Sequence, residues 1–242
     1  MSQPQTSSDE RAYRNSIYRR YGYYWTKTRG THNWQLLDRG GMPIANPDRL
    51  WNDIQANPQK YEQAGKRARE RALQKIRELV EEESTLILDC ETTGAVEAYE
   101  EVVELAILKI DGTVLFHSLV SCKMRIHPDA IKTHGITPAM LTNAPSFPEI
   151  WKTVSSLLEG KHVVIYNANF DVRILEGEAE HYGLPLPTYY PHCLMRMYMA
   201  VVVEGKYQLA SACGHFGVEV PPHRGTEDAE ATRQLLLKMA SA

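Results

Sequence analysis

The sequence predicts an α/β domain over residues 84–242 with a helical extension before it, on three observations. Beyond residue 84, apolar runs of strand length alternate with stretches of helical periodicity. Asp111-Gly112 falls between two of those runs and marks a tight hairpin turn. The charge also changes sign near Glu81-Glu82-Glu83-Ser84. Residues 1–80 hold 15 Lys and Arg against 8 Asp and Glu, a net of +7. Residues 81–242 hold 12 against 22, a net of −10, so the overall −3 conceals a basic extension on an acidic domain.

In chain order, the polar residues 1–10 are predicted to be disordered. Residues 11–34 interleave Arg11, Arg14, Arg19, Arg20, Lys27 and Arg29 with Tyr13, Tyr18, Tyr21, Tyr23, Tyr24, Trp25 and Trp34. A single-stranded nucleic-acid platform uses cations for phosphates and rings for bases. Packing of the same rings on the acidic domain or on a partner protein accounts for them equally well. A helix is predicted over about 58–80, with Asn57 as N-cap and Pro58 at its first position. Tyr61, Ala64, Ala68, Leu73, Ile76 and Val80 form its apolar stripe, and Lys66, Arg67, Arg69, Arg71 and Lys75 occupy much of the rest. Such a charge run is also what a solvated face looks like.

Strands are predicted at about 85–90, 101–110, 113–121 and 162–167, and helices near 147–159, 170–182, 192–203, 207–216 and 226–240. Asp89 and Glu91 end the first strand, after Leu86-Ile87-Leu88. Residues two apart in a strand share a face, so both carboxylates project together while Cys90 faces the other way. Thr92-Thr93-Gly94 then turns the chain. Asp171 follows the buried run Val163-Val164-Ile165 and opens a helix, where an acid also suits the helix dipole. His223 follows Pro221-Pro222 in a loop free to swing, and Asp228 lies in the first turns of the last helix.

Each fragment has a bland reading: an edge pair, a cap, a surface histidine. Together they supply four carboxylates and a histidine, the raw material for two divalent cations and a general base, which suits phosphodiester hydrolysis. Cys90, Cys122, Cys193 and Cys213 include no C-x-x-C pair, and no H-E-x-x-H occurs, so zinc is a poor alternative. Without a G-x-S-x-G elbow, a Ser-His-Asp hydrolase is unsupported. No stretch approaches the roughly 18–20 apolar residues of a membrane span. The N-terminus lacks a signal-peptide pattern, and the scattered cysteines point to a reducing cytoplasm.

L-D-C-E-T-T-G, N-A-N-F-D and H-R-G-T-E-D, in this order, resemble the DEDDh (DnaQ-like) family of 3′–5′ exonucleases over about residues 84–242. Val102-Val103-Glu104-Leu105-Ala106, His134-Gly135-Ile136-Thr137 and Tyr207-Gln208-Leu209-Ala210 resemble linking segments of that family. One departure is Tyr166, where the family often has His. The resemblance implies an RNase H-like mixed sheet flanked by helices: three antiparallel strands, then a helix and a parallel strand. It implies two Mg²⁺ or Mn²⁺ ions, with Asp89 bridging both, Glu91 and Asp228 completing one shell, and Asp171 acting directly or through water. It makes His223 the general base, a task suited to an imidazole. Thr92, Thr93 and Gly94 would meet the terminal nucleotide, and His134, Ile136 and Phe170 would border its base, although Ile136 and Phe170 also suit the core. The implied substrate is nucleic acid with a free 3′ end, taken as single-stranded DNA because the first and H-G-I-T segments look closest to the proofreading type. RNA 3′ ends, or a non-catalytic binding role, are the alternatives, and residues 1–80 are open to a protein partner.

Overall fold

The computed structural model describes residues 8–27, 34–38, 42–94, 100–202, 206–219 and 223–242. The expectation of disorder at residues 1–7, and Pro221-Pro222, lie outside the described residues. Residues 8–10, by contrast, begin a helix. The chain divides into two compact units, one of residues 1–75 with 196–207 and one of residues 76–195 with 208–242. The division does not fall at residue 80, because Ile76 and Leu79 are fully buried side chains of the second unit.

The first unit holds α1 (Ser8–Arg20), a hairpin of β1 (Tyr24–Lys27) and β2 (Trp34–Leu37), α2 (Pro47–Ala56) and most of α3 (Pro58–Glu81). Its core joins Tyr18, Tyr21, Leu36, Ile54 and Tyr61, with Tyr23 and Trp51 against them. Several of the rings expected in an aromatic platform are therefore packed, while Tyr13, Trp25 and Trp34 stay exposed. Asn46 caps α2 by accepting from the Arg49 N–H at 2.9 Å. Asn57, expected as the cap of α3, turns its carboxamide back onto Asp53 instead. A cavity of about 210 Å³ in this unit is lined by Gly22, Tyr24, Ala68, Arg71, Arg196, Met199 and Ala200, two guanidinium groups and no carboxylate.

The second unit is built on β3 (Thr85–Thr92), β4 (Val102–Lys109), β5 (Val114–Leu119), β6 (His162–Ile165) and β7 (Tyr190–Cys193), ordered β5-β4-β3-β6-β7. The β3–β4 and β4–β5 pairs are antiparallel, and the β3–β6 and β6–β7 pairs are parallel. This is the expected mixed sheet with one strand more. Residues near 192 form the end of that edge strand, where Pro191 is tolerated, and the helix expected from 192 starts at Leu194 as α7 (Leu194–Val201).

Leu86, Leu88 and Cys90 of β3 join one core cluster with residues of α5 (Phe147–Leu158) and α6 (Ala168–His181). Ser146 and Glu149 form a capping box at the start of α5. Strict alternation turns Ile87, Asp89 and Glu91 to the opposite face, over which α9 (Gly225–Ala240) packs on β3 and β4. A short α4 (Pro128–His134) and α8 (Leu209–Phe216) complete the unit. Among the described residues, no helix is long and apolar enough to cross a membrane.

Candidate active site

Strand β3 presents Asp89 opposite Ala106 and Glu91 opposite Glu104 of β4. The register then shifts between Glu91 and Thr92, so the strand ends in a bulge where the turn begins. Asp228 arrives from the first turn of α9. Asp89, Glu91 and Asp228 each offer an oxygen, and the three atoms lie within 4.8 Å of one another.

Asp171 stands outside that group of three, although its charge acts on Asp89. Strand β6 leaves β3 after Ile87, so further along that edge β3 has no neighbouring strand among the described residues. Asp171 Oδ1 accepts there from the Cys90 N–H at 3.3 Å and from the Cys90 thiol at 3.2 Å. The side chain takes the place of a strand carbonyl. It is carried by α6, which begins at Ala168, three residues before Asp171, after Asn167 in a left-handed conformation. Tyr166, at the departure from the family pattern, is buried at the strand end.

His223 has a left-handed backbone, φ 57°, uncommon outside glycine. Its side chain is half exposed, and Nδ1 lies 3.5 Å from Asp228 Oδ2. The loop residue thus meets Asp228 while much of its ring stays open to solvent.

The electrostatics are those of crowded carboxylates. Burial, then the charges of Asp171, Asp228, Glu91 and Glu104, pushes Asp89 well above the usual range. Burial, then Asp228 and Glu104, lifts Glu91 to about 8. Asp171 and Asp228 are also raised by burial, against hydrogen bonds from Cys90 and from His223 respectively. Asp228 Oδ1 is buried with no hydrogen-bond partner among the described residues. Clustered oxygens that repel one another, one of them orphaned, fit hard divalent cations.

The turn after β3 is occupied with its own bonds. The Thr92 hydroxyl donates to the Gly94 carbonyl. The Thr93 hydroxyl donates to Glu100 Oε2 at 2.6 Å and accepts from the Glu101 N–H at 3.0 Å. A Cβ on Gly94 would fall 2.5 Å from the Glu100 carboxylate, so a side chain there would require Glu100 to move aside. His134, expected beside the terminal base, is buried. Its Nδ1 accepts from the Ile136 N–H at 3.0 Å, which leaves the proton on Nε2, 3.2 Å from the Thr92 carbonyl. Both nitrogens are engaged in holding the turn. Ile136 is fully buried in a core cluster, which settles it as packing. Phe170 is partly buried against the main core and keeps some open surface.

Sequence reasoning missed Glu104. It is 1% exposed and accepts from Arg224 through both oxygens, from the Gly225 N–H at 2.9 Å, and pairs with His117 at 2.9 Å. A charged residue inside an otherwise apolar strand was the available signal.

Residues 86–236 match the family model RNase_T, described as Exonuclease. A PolC-type DNA polymerase III of Bacillus cereus is 30% identical over 166 residues, which are 66% of this chain and 12% of the polymerase. The chain thus corresponds to a small part of that relative's length. An uncharacterised exonuclease of Escherichia phage 186 is 29% identical over 174 residues, covering 66% of this chain and 89% of the phage protein. Among solved structures, exonuclease X in complex with 5′ overhanging duplex DNA superposes with a TM-score of 0.53 at 26% identity, covering 65% of this chain and 91% of that one. A match over more than half the chain, from before Asp89 to beyond Asp228, makes this chain a member of the exonuclease family.

Proposed function

We propose that the protein is a metal-dependent 3′–5′ exonuclease that releases nucleoside 5′-monophosphates from single-stranded DNA. The convergence of Asp89, Glu91 and Asp228 within 4.8 Å carries this reading. The DNA assignment is supported by the polymerase relative and by the DNA-bound exonuclease X. Asp89, Glu91 and Asp228 would hold Mg²⁺ or Mn²⁺, with Asp171 beside them. Bound there, such cations would supply charge to offset a phosphate and would lower the pKa of a water.

His223 accepts the proton of that water, and Asp228 Oδ2 steadies its ring from 3.5 Å. Cys90 fixes Asp171 through two hydrogen bonds to one oxygen. The main chain of Thr92, Thr93 and Gly94 borders the terminal sugar, and Phe170 offers its open edge to the base. The four free thiols suit a reducing cytoplasm.

Digestion of matched 5′-labelled DNA and RNA, single- and double-stranded, with Mg²⁺ tests the proposal. A ladder shortening from the 3′ end of single-stranded DNA is expected. Equal cutting of circular single-stranded DNA, or full activity in excess chelator, contradicts it. Faster loss of RNA moves the assignment to an exoribonuclease.

The basic unit serves strand binding in this proposal. Its cavity with Arg71 and Arg196 and its exposed Tyr13, Trp25 and Trp34 supply cations and rings. Arg71→Ala should weaken single-stranded DNA binding and lower the slope of log affinity against log salt by about 0.7. Turnover at saturating strand should be unchanged. An unaltered affinity and slope would instead give the unit to a protein partner.

A further inference from the structure

We infer that Glu104 is a positioning residue for His223, acting through Arg224 and Gly225. This rests on the proposed role of His223 as proton acceptor.

Glu104 lies on the same face of the sheet as Asp89, in register opposite Glu91. A carboxylate so deep beside four others is unfavourable unless it is paired. Burial pushes its pKa up, but Arg224, His117 and the Gly225 N–H outweigh this and hold it near 2. The Arg224 fork is bidentate, with Nε 3.1 Å from Oε2 and Nη2 2.8 Å from Oε1. The Gly225 N–H, among the first of α9 and without an acceptor of its own helix, donates to Oε2 at 2.9 Å. Glu104 is in effect the N-cap of α9, supplied from a neighbouring strand.

These three bonds grip the two residues that follow His223. A left-handed histidine has few ways to keep its place. Its backbone angle is unfavourable by itself, and its ties run to Asp228, through the ring at 3.5 Å and through its own N–H. Asp228 is different, because the helix ladder holds it through its own N–H to the Arg224 carbonyl at 2.8 Å. Loosening Glu104 therefore loosens the backbone of Arg224 and Gly225, the segment that sets where His223 stands. The grip is also close-fitting at Gly225, where a Cβ would lie 3.3 Å from Glu104 Cγ and would push that side chain by a few tenths of an ångström.

A double-mutant cycle on the full chain tests the inference. Glu104→Gln keeps the shape but cannot accept from all its donors. It should lower kcat about tenfold with little change in KM, and it should cost less than about twofold when introduced into His223→Ala. Arg224→Lys removes the fork from its more exposed side, and should show the same dependence on His223 if Glu104→Gln is poorly folded. Melting curves of all variants separate loss of folded protein from loss of turnover. Equal costs of both changes with and without His223 would overturn the inference, since a purely structural carboxylate lowers both alike. An inactive wild type would remove the underlying assignment of His223, and the clamp with it; an active wild type with equal costs removes the clamp alone.

Discussion

Asp89→Ala is expected to abolish nucleotide release and, in the metal-free protein, to stabilise the fold. A carboxyl whose folded pKa lies above its unfolded value binds its proton more tightly when folded. Folding is then favoured in acid, and stability falls as pH rises from the ordinary range toward the raised value. Glu91 sets this window from 4.5 to about 8, and Asp89 is raised in the same direction. Glu104 has the opposite sign, but it is held near 2 and loses its contribution only below that window. The metal-free wild type should therefore lose roughly 5 °C of melting midpoint between pH 5 and pH 8. Mg²⁺ should flatten the curve by binding the charged form, and Asp89→Ala should flatten it in part. A residual slope should survive both, because Glu178, raised to about 8 by burial, lies apart with the Val102 N–H. Melting curves across this pH range, with and without Mg²⁺, check the prediction. Stability that rises with pH through the window, or measurable turnover by Asp89→Ala, contradicts it.

His223→Ala should lower kcat by about 10²-fold with little change in strand affinity or Mg²⁺ affinity. The half-exposed side chain contributes little to packing, so the melting midpoint should hardly move. Near-normal turnover by His223→Ala would return the residue to an ordinary surface position.

The catalytic unit was legible where pattern is local. Alternation in β3 put Asp89 and Glu91 on one face, and Asp111-Gly112 marked a hairpin whose positive-φ glycine the structure contains. What escaped is either short or long-range. Strand β7 spans four residues and includes a proline, and it exists because β6 offers it an edge. Helix α4 is capped by the ring of His127, which accepts from the Asp129 N–H at 3.3 Å, an unusual cap with no sequence signature. The bond from Cys90 to Asp171 joins residues 81 apart, and the Glu104 clamp joins residues 120 apart. No periodicity carries such pairs. In the basic unit, α1 lacks a strong apolar face, and tertiary packing of Tyr18 and Tyr21 decides its fate.

The grouping of residues 196–207 with residues 1–75 has a consequence for how the chain acquires its fold. Synthesis delivers the N-terminal segment first, yet its unit is complete only when residue 207 has emerged. By then all five strands of the catalytic sheet have been made. The basic unit thus closes a loop of more than a hundred residues, and contacts of that separation are slow to form. Its core of Tyr18, Tyr21, Leu36, Ile54 and Tyr61 needs no later residue, but whatever residues 196–207 cover must wait, exposed, through the making of the sheet. A ribosome-bound chain stopped just before residue 196 should accordingly show a protease-sensitive N-terminal segment beside a largely formed sheet.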